Sequence, residues 1–247
     1  MKKTVREREI IAKLKRNEGY VSTSELSREL FASESSIRRD LRALEKRGTV
    51  KRVYGGCELV MNHSGAIAFK SRAGSNVEAK KLIAKKAVSL IKDGDIIFLD
   101  QSSSAYYLAD EIKHNASLTI VTNNIEILSL LSSSKMKVIS SGGTLCDGNR
   151  TCLVGSGAES VFDGIYSDIM FFSARSLSED GTISDTVDEE VAIRHVMMKN
   201  TRKRIFLCDS SKFGCRSAYK QCKLSDVDVL VTDGTLPKEL CGECRVI

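Results

Sequence analysis

Apolar residues recur with helical spacing along the first sixty positions. Within 4–17, Ile10, Ile11 and Leu14 form one stripe among charged neighbours, and Gly19 ends the pattern. Ser22 opens a second short helix: its hydroxyl is placed to cap, Glu25 stands three residues on in a capping-box arrangement, and Leu26 and Leu30 form the apolar face. After the connection Phe31-Ala32, Ser33 is placed to cap a third helix, in which Ile37, Leu41 and Leu44 fall at i, i+4 and i+7 and which closes near Gly48. Residues 49–54 carry β-branched and aromatic residues at strand spacing, and Gly55-Gly56 ends them. Three short helices with a tight second-to-third turn, then a hairpin wing, predict a winged helix-turn-helix over 1–57.

From 58 to 75 the pattern lapses, with Asn62, His63, Ser64, Gly65 and Gly74 interrupting short apolar pieces, and a linker is expected there. Beyond it a helix is predicted over 77–92, with Val77, Ile83, Ala84, Ala87, Val88 and Ile91 among lysines. Apolar runs of strand length follow at 96–99, 118–121, 138–139, 169–172, 205–207 and 227–231. Helix patterns fall between several of them, as at Ala105, Leu108, Ala109 and Ile112. This alternation predicts an α/β domain over 76–247, built on a mainly parallel sheet covered on both faces.

Charge separates the two parts. The chain of 247 residues carries a net +6, with 15 Lys+Arg against 8 Asp+Glu (+7) in residues 1–57 and 23 against 24 (−1) in 58–247. A small basic module joined to a near-neutral larger one points to a polyanion partner for the first. There is no run of 18 apolar residues, and MKKTVREREI lacks the apolar stretch of a secretory signal, so no membrane association and a cytoplasmic address are expected. Eight dispersed cysteines without an export signal are expected as reduced thiols.

If Ile37, Leu41 and Leu44 face the core, then Ser35, Ser36, Arg38, Arg39 and Arg42 lie on the flanks or the outer face, which a recognition helix offers to duplex DNA. Arginine can donate two hydrogen bonds to a guanine edge or pair with phosphate, and serines at a helix N-terminus can reach either. Lys51 and Arg52 on the wing are placed to touch the backbone, and Ser22 joins the candidate DNA-binding set. The stretches VSTSELSREL, SIRRDLRALEKRG and VKRVYGG resemble the N-terminal domain of the DeoR family of bacterial transcription regulators. Ser36, Ile37, Arg38, Arg39, Asp40, Leu41, Gly55 and Gly56 occupy that family's recurring places.

Open α/β sheets bind ligands beyond the carboxyl ends of their strands. The candidate ends here read DQSSSA, TNN, SGGT, SAR and DSSKFG. Ser102, Ser103 and Ser104 can offer hydroxyls and N–H groups to a phosphate at the start of a helix; Gly142 and Gly143 let backbone approach a ligand; Lys212 can supply a point charge. The stretches GDIIFLD, IVTNN, SGGT, LVG and LCDSSKFG resemble the same family's C-terminal region, which implies a fold related to sugar-phosphate isomerases and a site for a small phosphorylated metabolite. Carried over by position, that effector site comprises Asp100, Ser102, Ser103, Ser104, Thr122, Asn123, Asn124, Gly142, Gly143, Asp209 and Lys212. The family's Gly-Thr-Thr element in the first loop is replaced by Ser-Ser-Ser-Ala, which keeps hydroxyls and loses the glycine.

Two other chemistries are weighed against this. A sugar isomerase needs a positioned base; the acidic candidates are Asp100, Asp188, Glu189, Glu190 and Asp209, no histidine falls at a predicted strand end, and Thr186 with Glu189 forms a plausible capping box for the following helix. Catalysis is not expected. A metal- or redox-sensing regulator is suggested by Cys208, Cys215, Cys222, Cys241 and Cys244; Cys241 and Cys244 have ligand-like spacing, but one Cys-x-x-Cys lacks the second pair of a zinc site, and Cys208 lies within an apolar strand. No metal and no cofactor are expected. The chain thus reads as an effector-responsive regulator, most often a repressor in families like this, acting as a homo-oligomer (dimer or tetramer) because helix-turn-helix proteins bind as symmetric pairs.

Overall fold

Ile10, Leu14, Leu26, Ile37, Leu41 and Leu44 close on one another with no side chain more than 1% exposed. This is seen in a computed structural model that describes residues 3–17, 20–46, 50–53, 55–59, 65–240 and 242–247. The chain divides into two compact units, Met1–Ser75 and Asn76–Ile247. The first holds α1 (Lys3–Arg16), β1 (Tyr20–Ser22), α2 (Thr23–Glu29), α3 (Glu34–Lys46), β2 (Val50–Val53), β3 (Gly56–Leu59) and α4 (Gly65–Gly74).

Phe31, in the left-handed region at φ 49°, makes the tight turn from α2 to α3. Ser33 caps α3 by accepting the Ser36 N–H at 3.4 Å. Strands β1, β3 and β2 pair antiparallel in that order, with Val21 opposite Cys57 and Ser22 opposite Gly56. A Cβ on Gly56 would fall 2.4 Å from the Val21 carbonyl oxygen, so this approach requires glycine.

Three expectations change in this unit. Gly55-Gly56 does not end the wing. Gly55 turns it at φ 80° and Gly56 opens its second strand, which runs to Leu59. Residues 58–75 are not a plain linker, because they hold the end of β3 and the ten-residue α4; the glycines that mask this helix in the sequence sit at its two ends. Only half of the capping box forms at α2. Ser22 accepts the Glu25 N–H at 3.1 Å, but the Glu25 carboxylate turns to Lys13 and Asn17, both at 3.2 Å, since α1 offers a cation. Gly19, Gly48, Thr49, Tyr54, Asn62, His63, Ser64 and Cys241 lie outside the described residues.

In the second unit, α5 (Val77–Val88), β4 (Ile96–Leu99), α6 (Ser103–Ile112), β5 (Thr119–Thr122), α7 (Ile125–Leu131) and β6 (Lys137–Ser140) alternate as expected. After them come β7 (Thr144–Leu145), β8 (Leu153–Val154), α8 (Ser156–Asp163), β9 (Ile169–Phe172), β10 (Ser176–Leu177) and β11 (Thr182–Asp185). The chain finishes with α9 (Asp188–Lys199), β12 (Arg204–Leu207), β13 (Tyr219–Lys223), β14 (Val229–Val231) and β15 (Arg245–Val246). A seven-stranded parallel sheet forms in the order β15-β14-β12-β9-β4-β5-β6. Alternate residues divide its faces: Ile97 and Leu99 pack with α5, α6 and α7 through Ile83, Leu108 and Ile127, whereas Phe98 packs with α8 and α9 through Phe162 and Ile193. The chain moves outward from β4 to β5 and β6, then returns to β9 on the other side of β4, so the strand order reverses between β4 and β9. Such a reversal opens a crevice at the carboxyl ends.

The alternation did not foretell the antiparallel hairpin β7–β8 or the antiparallel sheet β10-β11-β13. Nor do Thr186 and Glu189 form a capping box: α9 begins after Val187 without a side-chain cap, and Glu189 accepts the Cys146 thiol at 3.4 Å.

Candidate functional site

With Ile37, Leu41 and Leu44 buried, α3 presents Ser35, Arg38, Arg39 and Arg42 to solvent and leaves Ser36 half-buried. Arg39, Arg42 and the wing residue Lys51 are exposed and have no partner among the described residues. Arg38 is held by Glu34 at 2.9 Å, and Arg52 binds Glu45 through Nε at 2.6 Å and through its N–H at 3.0 Å, which ties β2 to α3. Arg52 also keeps the Glu45 carboxyl below its usual range through those hydrogen bonds. The Ser33 hydroxyl lies 3.0 Å from both Ser35 and Ser36, while Ser22 caps α2 and sits 3.2 Å from Ser24. Asp40, beside the two arginines in sequence, is buried and accepts from Arg6 Nε at 2.5 Å, pinning α1 to α3.

The eleven expected effector residues gather at the carboxyl edge of the parallel sheet, after β4, β5, β6 and β12. They are not equivalent. At the switch point, Asp100 accepts the N–H groups of Ser102 and Ser173, each at 3.1 Å, and stands 3.1 Å from Arg194 Nε. Arg194, from α9, is buried and also bonds Asp185 at 2.6 Å, Glu190 at 3.3 Å and Gln221 at 3.1 Å. Burial raises the Asp100 carboxyl above its usual value despite the opposing pull of Arg194 and the Ser102 and Ser173 donors. Burial by itself would lower the Arg194 guanidinium, but Asp185, Asp100 and Glu190 outweigh it and raise it. Asp100 is therefore committed to the protein interior.

Lys212 is not a surface residue. At 9% exposed, it donates to Ser173 Oγ at 2.9 Å and lies 3.3 Å from Asp209. Asp209 also accepts from Asn76 at 3.2 Å and from the Ser211 hydroxyl. Burial pushes the Asp209 carboxyl up, yet Lys212, Ser211 and Lys80 prevail and hold it below its ordinary value.

Thr122 Oγ1 accepts the Asn124 N–H at 3.1 Å, and Asn124 Oδ1 caps α7 through the Glu126 and Ile127 N–H groups at 2.9 and 3.4 Å. Asn123 donates to the Leu153 carbonyl at 3.1 Å. Ser102 caps α6 by accepting the Ala105 N–H at 3.1 Å. Ser104 Oγ, Asn123 Oδ1 and Asn124 Nδ2 are buried with no hydrogen-bond partner among the described residues. Gly142 and Gly143 adopt φ of 59° and 104°; a Cβ on Gly143 would lie 2.5 Å from the Val154 carbonyl oxygen, whereas open space surrounds Gly142.

A cleft of about 780 Å³ opens elsewhere, lined by Leu145, Asp147, Arg150, Glu159, Asp188 and Glu189 among others, and shares no residue with this set. Its Asp147, Glu159, Asp188 and Glu189 carboxylates oppose an anion there. Among the described residues no cluster of three or more His, Cys, Asp or Glu could hold a metal ion, and no helix is long and apolar enough to cross a membrane.

Residues 6–63 match the DeoR-like helix-turn-helix domain, and residues 75–234 match the DeoR C terminal sensor domain. The chain belongs to the DeoR family of transcriptional regulators. Among its relatives, the regulator YgbI of Escherichia coli is 33% identical over 95% of this chain and 91% of its own. The regulator GolR of Listeria innocua is 33% identical over 95% and 92%, and a lactose phosphotransferase system repressor of Staphylococcus epidermidis is 31% identical over 90% and 89%. All three carry the names of regulators rather than enzymes. Among solved structures, ribose 5-phosphate isomerase A from Methanocaldococcus jannaschii is similar at 20% identity with a TM-score of 0.43, over 56% of this chain and 55% of that one.

In this DeoR-family regulator the sequence pattern missed Arg194 and Lys80, both 1% exposed at or beside the crevice. Charged residues in a helix read as solvated. The one available signal was that Arg194 lies three residues after Val191, on the buried side of α9.

Proposed function

We propose that this chain represses transcription in the cytoplasm, binding operator DNA as a homo-oligomer (dimer or tetramer) whose affinity changes when a small phosphorylated metabolite, such as a sugar phosphate, enters the strand-edge crevice. The observation that carries this is the set of buried, partnerless atoms Ser104 Oγ in the first turn of α6 and Asn123 Oδ1 and Asn124 Nδ2 at the end of β5. Leaving such atoms unpaired costs free energy, and a polyhydroxylated ligand would satisfy them. The first N–H groups of α6, of Ser103 and Ser104, have no partner among the described residues, and a helix N-terminus favours an anion. Lys212 adds a cation already held in place.

On the other unit, Arg39, Arg42 and Lys51 are free to neutralise phosphates, and Ser35, Ser36 and Arg38 stand where base edges would lie. Release of Arg38 from Glu34 would accompany its contact with DNA. The name of the staphylococcal relative supports repression as the mode. Symmetric half-sites call for a paired assembly, and an effector must bind the competent and incompetent states unequally to act at all. The test is a thermal-shift screen of sugar phosphates, followed by DNA titration with and without the stabilising compound. Ser104→Ala and Lys212→Ala are expected to bind DNA normally and to lose the effector response. A response that survives both substitutions places the ligand elsewhere.

A further inference from the structure

Phe31 is 96% exposed, the most exposed large apolar side chain among the described residues. It also stands at φ 49°, in the left-handed region that bulky residues rarely enter. The turn around it is closed on both sides. The Leu30 N–H donates to the Leu26 carbonyl at 3.0 Å, the Ala32 N–H reaches back to the Ser27 carbonyl at 3.1 Å, and the Ser27 hydroxyl donates to the Ala32 carbonyl at 2.7 Å. With Leu30 as the C-cap of α2, the bond from Ala32 to Ser27 is the outer bond of a Schellman ending, whose left-handed place falls on Phe31.

Glycine fills that place at the least cost, and asparagine is the next choice. The flanking Leu30 and Ala32 pack onto the core of this unit, whereas the ring of Phe31 is turned away into solvent. A single exposed apolar side chain is ordinary on a protein surface. One held on a glycine-favouring backbone, with its ring adding nothing to the core, carries two costs that this unit's own packing does not recover. Backbone strain of this kind gathers at functional sites.

The position of Phe31 says what its ring is offered to. It precedes by two residues Ser33, the cap of α3, and so lies where α2 hands over to the helix that bears Ser35, Ser36 and the arginines. In a helix-turn-helix the first helix crosses the DNA backbone and the N-terminal residues of the second meet base edges, which puts the turn between them at the mouth of the major groove. There thymine offers its 5-methyl group, and the backbone offers the apolar face of deoxyribose. Resting on the DNA-binding surface proposed above, we infer that Phe31 is a DNA-contacting residue whose ring packs on this apolar surface of the duplex, thymine methyl or deoxyribose. An apolar contact releases no counterion, so it adds affinity without adding to the salt dependence.

The full chain first selects a duplex from a random-sequence pool, and fluorescence anisotropy then measures binding to that duplex over a salt series. Phe31→Gly and Phe31→Asn suit the left-handed backbone and remove the ring. Both are expected to melt no lower than the parent, to bind at least about fivefold more weakly and to keep the parent's slope of log affinity against log salt. Phe31→Tyr keeps the ring and is expected to bind within about twofold of the parent. Deoxyuridine in place of thymine in the same duplex assigns the surface: a loss for the parent that Phe31→Gly does not share marks the methyl group, and any other result marks deoxyribose. Full affinity in Phe31→Gly and Phe31→Asn overturns the inference and leaves the DNA-binding surface standing, as does a loss in Phe31→Tyr as large as in Phe31→Gly. A lower melting temperature in both Phe31→Gly and Phe31→Asn contradicts the strain on which the inference stands. If the unaltered chain selects no duplex, the DNA-binding reading falls and the role of Phe31 with it.

Discussion

Arg194 Nε stands 3.1 Å from Asp100 Oδ2, and the two side chains are 2% and 0% exposed. One guanidinium thus joins the first loop of the crevice to β11 through Asp185, to its own helix through Glu190 and to β13 through Gln221. A change in that loop has a direct mechanical route to the small antiparallel sheet.

Arg194→Met is expected to destabilise the protein by about 3–5 kcal/mol, because it strands several buried carboxylates around an apolar side chain. Arg194→Lys keeps the charge but not the fork of donors, and its loss should fall between the two. Urea unfolding monitored by circular dichroism gives both values. A loss for Arg194→Met below about 1 kcal/mol contradicts a structural role for the network.

The salt dependence of DNA binding separates the arginines of α3. Replacing Arg39, Arg42 or Lys51 by Ala should each reduce the slope of log affinity against log salt by about one, the signature of a lost phosphate contact. Glu34→Ala should strengthen binding at low salt, since it removes a negative charge and frees Arg38 from its 2.9 Å pairing. Fluorescence anisotropy with a labelled duplex over a salt series measures these effects, and unchanged slopes in all three Ala variants remove those residues from the interface.

Gly143→Ala should cost more stability than Gly142→Ala, although the two are neighbours with positive φ. Backbone strain of about 1 kcal/mol or more applies to both, but at Gly143 the new Cβ would also lie 2.5 Å from the Val154 carbonyl oxygen, whereas Gly142 faces open space. Comparing their melting temperatures checks the order.

Burial pushes the thiols of Cys57 and Cys222 up to about 12 and that of Cys146 up to about 11. Thiolate is the reacting form. Near neutral pH these three cysteines should resist alkylation in the native protein and react quickly in denaturant, as peptide mass spectrometry can show. Rapid native labelling of Cys57 or Cys146 would contradict their burial.

The Asp209 carboxyl is depressed on folding, so its interactions contribute stability that is fully present above the ordinary carboxylate value of about 4 and is lost as pH falls through the lower folded value. Asp209→Asn should therefore be less stable than the parent near neutrality, with the gap narrowing on acidification below about pH 4. Denaturant midpoints across that range test the sign.

Local pattern alone determined much of this protein. The spacing of Ile37, Leu41 and Leu44 predicted α3 and its outward arginines, and apolar runs between helix patterns predicted the parallel strands and the polar residues at their ends. Both signals arise from residues a few positions apart, where side-chain periodicity mirrors backbone geometry. Tertiary structure alone decided which of those residues are free. Arg194 meets Asp100 across 94 positions and Asn76 meets Asp209 across 133, and no periodicity records such a pairing. The wing's second strand, the antiparallel sheet and the burial of Lys80 were hidden for the same reason: each depends on a distant partner that supplies the missing hydrogen bonds or counter-charge.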